Sequence, residues 1–157
     1  MGLGLPKDFR ELLESLNANG VRYLLIGGHA VGCYGYSRST NDIDFFVAPD
    51  LENANRLVKC LTEFGFGSET LRPELFTAKD SLVIIGVEPL AVDFLNYLTG
   101  VEFEAAFANR SLVDDDGMKI SVIGFDDLIR NKNATGRLKD LADVEYLTRL
   151  NPERKVV

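Results

Sequence analysis

Three observations in the sequence predict an α/β (α+β) fold in which a mixed β-sheet is flanked by helices. Short apolar segments typical of strands alternate with amphipathic helical segments along the chain. The first strand, residues 21–26, runs directly into the glycine pair Gly27 and Gly28, which favours a tight turn from strand to helix. The next strand, residues 40–47, carries two acidic residues in an otherwise apolar stretch.

Periodicity and turn residues predict the order of the elements. The first helix follows from Phe9, Leu12, Leu13 and Leu16, which keep the i, i+3, i+4, i+7 spacing of one helical face, and Gly20 ends it. Further helices are predicted at residues 29–34, 51–64, 101–109, 125–133 and 138–150. Strands are predicted at residues 21–26, 40–47, 74–78, 82–87, 90–95 and 119–123, with turns at 88–89 and 114–117.

Length and composition favour one domain covering residues 1–157, in which residues 125–150 form a short C-terminal pair of helices. No apolar run approaches the roughly 20 residues that cross a bilayer, and the first residues do not resemble a signal peptide. Cys33 and Cys60 show no metal-ligand spacing and are expected to be free thiols. We therefore expect a cytoplasmic protein without a membrane partner.

The charge distribution limits the kinds of partner. The net charge of −7 argues against binding to extensive duplex nucleic acid, which usually needs a basic face. A nucleoside triphosphate remains compatible, because it needs only a few local cations. The sequence offers such a cluster in a stretch without acidic residues: Arg130, Lys132, Arg137 and Lys139.

Asp42 and Asp44 are the strongest candidates for chemistry. Because side chains alternate along a strand, both point to one face, with Cα atoms about 6.6 Å apart. Two like charges on one face repel each other unless a cation compensates them, and Mg²⁺ prefers carboxylate and phosphate oxygens. The pattern favours a metal site over the simpler alternative, a solvated polar edge.

Asp93 is a third candidate because it lies in an apolar strand, where an isolated charge is costly. A strand next to that of Asp42 and Asp44 would bring Asp93 to the same metal. The alternative is a carboxylate held in a salt bridge or a polar network.

Other candidates would bind phosphate. Gly27 and Gly28 would let a phosphate approach backbone N–H groups, although the pair also suits a plain tight turn. Arg38 would hold a triphosphate oxygen or brace the acidic strand, and Ser39 adds a hydroxyl beside it. Lys132 is the preferred cation of the basic cluster, against an ordinary surface role. His29, the only histidine, would contact a phosphate or the nucleotide, or it is a bystander, which is the preferred interpretation.

These motifs together resemble the nucleotidyltransferase superfamily typified by DNA polymerase β. The similarity rests on strand, Gly-Gly, short helix, the run from Arg38 to Asp44, and the later lone Asp93. The segment from Gly27 to Asp44 resembles lincosamide-type antibiotic nucleotidyltransferases and the toxin enzymes of abortive-infection toxin–antitoxin systems. The patterns around residues 128–132 and 136–143 resemble the C-terminal part of that group.

The resemblance implies a nucleotidyltransferase fold and a transferase that moves a nucleoside monophosphate from a nucleoside triphosphate to an acceptor hydroxyl. It implies a two-metal site for Mg²⁺, with Mn²⁺ as an alternative, held by Asp42, Asp44 and Asp93. Gly27, Gly28, Arg38, Ser39 and Lys132 would bind the nucleotide. The acceptor would be an antibiotic, an RNA end or a protein, and a homodimer or a partner protein would complete the cleft. The alternative is a catalytically inactive nucleotide-binding or partner-binding module of this fold, as part of a toxin–antitoxin pair.

Overall fold

The computed structural model describes residues 3–36, 40, 42–86 and 91–154. Helices α1–α7 and strands β1–β6 follow in the order α1 Lys7–Ala18, β1 Tyr23–Ile26, α2 Gly27–Cys33, β2 Ile43–Val47, α3 Leu51–Leu61, α4 Glu74–Thr77, β3 Leu82–Ile85, β4 Val92–Leu95, α5 Phe103–Ala108, β5 Ser111–Asp115, β6 Met118–Val122, α6 Phe125–Thr135 and α7 Leu138–Leu150. A π-helical turn, Thr62–Phe66, extends α3. Within the described part of the chain, no helix is both long and apolar enough to span a membrane.

The six strands form one mixed sheet in the order β3-β4-β2-β1-β6-β5, which confirms the predicted fold class. Strand β2 is antiparallel to β1 and parallel to β4. The register places Asp44 opposite Ile26 on one side and Asp93 on the other. The centre of the sheet therefore aligns the two predicted acidic strands without an offset.

Strand alternation separates the acidic residues from the core. Phe45, next to Asp44, points to the opposite face, where it packs against the rings of Tyr23 and Phe94. Phe76 of α4 adds an edge-to-face contact with Phe94. This aromatic layer fixes β2 and β4 relative to each other, and so it also fixes the carboxylates on their other face.

Two predictions from the sequence are wrong. Residues 74–78 were expected to form a strand, but Glu74–Thr77 is a single helical turn that follows Pro73 and buries Phe76. Residues 114–117 were expected to be a solvated turn, but strand β5 includes Asp114 and Asp115, and only Asp116 and Gly117 turn.

Asp115 is buried because distant parts of the chain satisfy its charge. Arg10 of α1 forms an ion pair with its carboxylate and also donates to its backbone oxygen. The backbone N–H of Leu3 donates to the same carboxylate. The acidic triplet thus ties the first helix to the edge of the sheet, a role that local sequence does not reveal.

The other elements agree with the predictions to within a few residues. The predicted helix at residues 125–133 continues to Thr135, where Gly136 in the left-handed conformation ends it, and α7 has the predicted bounds. Both cysteines are free and lie in helices, as predicted. The predicted turn at residues 88–89 lies outside the described residues.

Candidate active site

Three acidic residues meet where β2 and β4 begin. Asp44 and Asp93 are partners in the parallel register, and their side chains are hydrogen-bonded to each other. Asp42 precedes β2 by one residue and lines the same cleft. Two carboxylates this close repel each other when both are charged and no cation is bound.

The electrostatics of Asp44 reflect this crowding. Burial is the largest cause that raises its pKa, followed by the hydrogen bond with Asp93 and the negative charges of Asp93 and Asp42. Lys139 acts in the opposite direction, but the pKa still rises to about 7. The site therefore carries more negative charge than its surroundings compensate.

The residues fit a divalent cation by two observations. Asp42 Oδ1 is buried without a hydrogen-bond partner among the described residues, which is costly unless a ligand completes it. Carboxylate oxygens are also the donors that Mg²⁺ prefers. As the side chains stand, however, the described part of the chain contains no group of three or more His, Cys, Asp or Glu residues that could hold a metal ion.

The glycine pair makes room for this cluster. Gly27 has a φ of +70°, and a Cβ atom at this position would lie 2.1 Å from Asp44 Oδ2. At Gly28, a Cβ atom would lie 3.0 Å from the Cβ atom of Thr40. The absence of side chains at this turn therefore lets the Asp44 carboxylate pack directly against the start of α2.

A cleft of about 580 Å³ opens over the carboxylates and has walls of different character. Gly27 and Gly28 form part of its floor. The wall formed by α6, α7 and the turn between them is mostly polar, with one apolar residue, Leu128, beside Asn131, Lys132, Arg137, Lys139 and Asp140. The wall on the β3–β4 side is apolar: Leu82, Leu95 and Leu98.

Lys132 lies in the cleft wall but its ammonium group is already paired. It donates to Asp140 Oδ1 at 3.2 Å and to Asp143 Oδ2 at 2.8 Å, and all three side chains are buried. Arg137 and the Thr135 hydroxyl also donate to Asp140 Oδ2, at 2.8 and 2.6 Å. The structure thus makes Lys132 the centre of a network that joins α6 to α7.

Lys139 is the cation that the sequence analysis passed over. It is exposed, lines the cleft and forms no ion pair with any residue that the structure describes. Its charge acts on Asp44, which places it on the acidic side of the cleft. The available signal was its position in the first turn of α7, three residues after Gly136, which ends α6.

The remaining candidates are not among the described residues that line the cleft. Arg38 and Ser39 lie outside the described residues. The imidazole of His29 contacts the ring of Phe9 edge-on, and burial lowers its pKa, while the Asp42 backbone acts in the opposite direction. The histidine is not among the described residues that line the cleft.

Solved structures show that this architecture is the nucleotidyltransferase fold. A candidate nucleotidyltransferase from Thermotoga maritima superposes with a TM-score of 0.58 at 18% identity, over 93% of this chain and 91% of that one. The lincosamide antibiotic adenylyltransferase LnuA, solved with lincomycin bound, gives 0.57 at 16% identity, over 93% and 98%. A nucleotidyltransferase-like antigenic protein from Paracoccidioides brasiliensis gives 0.55 at 13%, over 91% and 73%.

The family follows from the sequence itself. A family model described as "nucleotidyl transferase of unknown function (DUF2204)" matches residues 6–157, so the chain belongs to this family of nucleotidyltransferases. No sequence in a search of curated proteins matches it significantly. The enzyme class predicted from the Gly-Gly and Asp-x-Asp motifs is thereby confirmed, and it implies a nucleotide substrate.

Proposed function

We propose that the protein transfers a nucleoside monophosphate from a nucleoside triphosphate to an acceptor hydroxyl in a reaction that depends on Mg²⁺, with Mn²⁺ as an alternative. The observation that carries the proposal is the pairing of Asp44 with Asp93 in the parallel register of β2 and β4, in the cleft that Asp42, with its Oδ1 unpartnered among the described residues, also lines. Three carboxylates that line one cleft are unfavourable alone and become favourable around a cation. Bound there, the ion would supply Lewis-acid chemistry toward the phosphate oxygens and the acceptor oxygen.

The side chains have separate roles in this proposal. Asp42 and Asp44 hold the cation, while Asp93 also accepts the proton of the acceptor hydroxyl. The acceptor oxygen forms the new bond to the α-phosphorus, the bond to the β-phosphate breaks, and pyrophosphate leaves. Gly27 and Gly28 form the floor of the cleft, where no side chain obstructs the phosphates.

The polar wall suits the leaving pyrophosphate. Lys139 is available for it, because no described residue pairs with its ammonium group. Lys132, predicted as a nucleotide ligand, acts in this proposal through the α6–α7 network and holds that wall in place. Arg38 and Ser39 remain predicted ligands of the nucleotide.

Three broader assignments accompany the proposal. We assign residues 1–157 to one nucleotidyltransferase-like domain, to which α6 and α7 contribute the polar wall. The two free cysteines support a reducing, cytoplasmic setting. A role in a toxin–antitoxin pair and a need for a partner chain remain predictions from the sequence.

A thermal-unfolding titration with ATP, GTP, CTP and UTP, with and without Mg²⁺, tests the proposal. A nucleotide at 100 times its dissociation constant adds about 2.7 kcal/mol to the free energy of unfolding, which raises the midpoint by about 5 to 10 °C at this chain length. We expect a shift that needs Mg²⁺ and favours one base. Shifts that are absent with all four nucleotides, or independent of Mg²⁺, would contradict the proposal and favour the inactive-module alternative.

A further inference from the structure

The edge strand β3 presents two large apolar side chains to solvent beside the active site. Leu82 is 54% exposed and Ile84 60% exposed. A single exposed aliphatic residue needs no explanation, but two on the same face of an edge strand are unusual, because such edges favour unwanted association. The exposure of Leu82 and Ile84 therefore indicates a binding surface.

The register places both side chains on the face that carries the carboxylates. Ile84 is opposite Asp93, and Leu82 is opposite Leu95. Directly opposed residues in an antiparallel pair have Cβ atoms roughly 4.5 to 5.5 Å apart on the same face. Leu82, Ile84 and Leu95 thus form a continuous apolar strip, the apolar ledge, that begins beside the carboxylate proposed to take the acceptor's proton.

The ledge continues into the cleft. Leu82 and Leu95 line the cleft together with Asp93, and the buried Leu98 extends the same wall. The apolar side of the cleft, formed by the ledge, and the described cations that line the cleft therefore come from different elements, β3 and β4 for the ledge and α6, α7 and the turn between them for the cations.

The charges of the cleft indicate what the apolar side can accept. The described residues that line the cleft include three cations, Lys132, Arg137 and Lys139, and all three come from α6, α7 or the turn between them. Those that line it from β3 and β4 are Leu82, Asp93 and Leu95. A polyanion such as RNA would meet no described cation on β3 or β4, whereas a neutral or cationic molecule would meet apolar surface and carboxylates.

We propose that the apolar ledge binds the acceptor, and that the acceptor is a small hydroxyl compound, neutral or cationic, with an apolar face. This inference rests on the proposed transferase function and narrows its acceptor. It favours a small amphipathic molecule over an RNA end. A second copy of this chain is a less suitable occupant, since the strip leads directly into the cleft that the substrates must enter.

Alkyl glucosides of increasing chain length provide a probe with hydroxyl groups and a variable apolar tail. Methyl, butyl and hexyl β-D-glucoside, below their micelle-forming concentrations, are titrated into the wild-type protein with Mg²⁺ and a non-hydrolysable analogue of the preferred nucleotide. Each buried methylene raises affinity about fourfold. We expect affinity to rise about tenfold or more from the methyl to the hexyl compound, which corresponds to about two buried methylenes.

Two variants test whether the dependence of affinity on chain length arises at the apolar ledge. The double variant Leu82→Asn/Ile84→Asn should lose the dependence on chain length while keeping its affinity for the Mg²⁺–nucleotide complex. The control is Leu112→Asn, because Leu112 is also 60% exposed and lies on β5, the strand at the opposite edge of the sheet. It should retain the full dependence on chain length. Both changes are at exposed positions and should leave the unfolding midpoint nearly unchanged.

Four results would overturn the inference. The first is affinity independent of chain length in the wild type, and the second is an equal loss in Leu112→Asn. The third is a wild-type dimer that dissociates only in Leu82→Asn/Ile84→Asn, which would assign the ledge to a second copy. The fourth is nucleotidyl transfer to a short RNA that the double variant performs equally well. Failure of Mg²⁺–nucleotide binding itself would instead reject the proposed function.

Discussion

Two acidic clusters lie at the cleft, the second of them through Asp140 alone, and they differ in how their charges are compensated. The strand cluster consists of Asp42, Asp44 and Asp93, and the helix cluster consists of Asp140 and Asp143. In the helix cluster, Lys132 reaches both carboxylates and Arg137 reaches Asp140. In the strand cluster, no described cation lies within ion-pair distance of a carboxylate.

The pKa values of Asp140 and Asp44 shift in opposite directions, in line with this difference in charge compensation. Burial acts to raise the pKa of Asp140, but hydrogen bonds from Thr135 and Arg137 and the charge of Lys132 outweigh it, and its pKa falls below the ordinary value. For Asp44, burial acts in the same direction and the neighbouring carboxylates reinforce it, so the pKa rises to about 7. We infer that a compensated cluster holds the helices together, whereas an uncompensated one is available for a cation.

The largest expected effect comes from neutralising the strand cluster. Asp42→Asn with Asp44→Asn should weaken Mg²⁺-dependent nucleotide binding by about 100-fold or more, because the ligand charge is lost. The unfolding midpoint should stay the same or rise, since repulsion between like charges is removed. Calorimetric titration and thermal unfolding measure the two quantities.

The control for this pair is Asp116→Asn. Asp116 is exposed with a φ of 50°, a conformation that Asn tolerates, and it lies in the turn after β5. It should behave like the wild type in both measurements. Unchanged nucleotide affinity in Asp42→Asn/Asp44→Asn would show that the site has been assigned wrongly.

In the helix cluster, removing a charge should lower the stability of the protein. Lys132→Met leaves Asp140 and Asp143 buried without their shared cation, a loss of about 3 to 5 kcal/mol in comparable buried pairs. We expect the unfolding midpoint to fall by about 10 °C. Lys119→Met is the matched control, because Lys119 forms an exposed ion pair with Asp114, and such pairs contribute little to the free energy of unfolding. Equal midpoints for the two variants would refute the bracing role of Lys132.

Gly27 tests whether the turn shapes the strand cluster. Gly27→Ala introduces a Cβ atom into the space of the Asp44 carboxylate, whereas Gly20→Ala introduces one into open space at a similar φ, +66°. The strain of the positive φ, about 1 to 2 kcal/mol, is therefore common to both variants. Only Gly27→Ala should also weaken Mg²⁺-dependent nucleotide binding, by about tenfold or more. Equal nucleotide affinities in Gly27→Ala and Gly20→Ala would show that the packing of Asp44 against Gly27 does not affect nucleotide binding.

Lys139 should show a smaller effect that is confined to the nucleotide. Lys139→Met removes a cation that no described residue pairs with, so the unfolding midpoint should change little. Nucleotide affinity should fall about tenfold, as expected for one charge-assisted hydrogen bond. If Lys139 contacts the outer phosphates, Lys139→Met should bind a nucleoside monophosphate as tightly as the wild type does. A measurement with the monophosphate therefore separates this contact from a general loss of binding.

The pH dependence of stability is the mildest expected effect. The ordinary pKa of Asp44 is 3.8 and its folded value is about 7, so the folded state binds the extra proton between these values. The contribution of Asp44 to the stability of the metal-free protein should therefore be fully present below pH 3.8 and be lost as the pH rises through about 7. Thermal unfolding of Asp44→Asn should show a shallower decline, and an equal decline in both proteins would contradict the assignment.

The sequence predicted the parts of the fold that depend on local pattern. The spacing of Asp42, Asp44 and Asp93 in apolar strands was sufficient to group them, because β2 and β4 pair in register. The helix at Glu74–Thr77 was missed because a single turn is too short to show helical periodicity.

Pairing between distant residues accounts for what the local sequence pattern could not show. Asp115 looked like a turn residue because its partner, Arg10, lies at the other end of the chain. The ion pairs of Lys132 with Asp140 and Asp143, eight and eleven residues further on, also form across the turn between α6 and α7, and its assignment as a phosphate ligand stays a prediction. Which cation stays available depends on how α6 and α7 pack, so Lys139 could not be selected from composition alone.

The most direct test of the contrast between the two clusters is thermal unfolding in increasing Mg²⁺, without nucleotide, for the wild type, Asp44→Asn and Asp143→Asn. We predict that Mg²⁺ raises the midpoint of the wild type and of Asp143→Asn, even though the latter starts lower. Asp44→Asn should start at or above the wild type and show no response. A response that is retained in Asp44→Asn and lost in Asp143→Asn would show that the cation binds at the other cluster and would contradict the central claim.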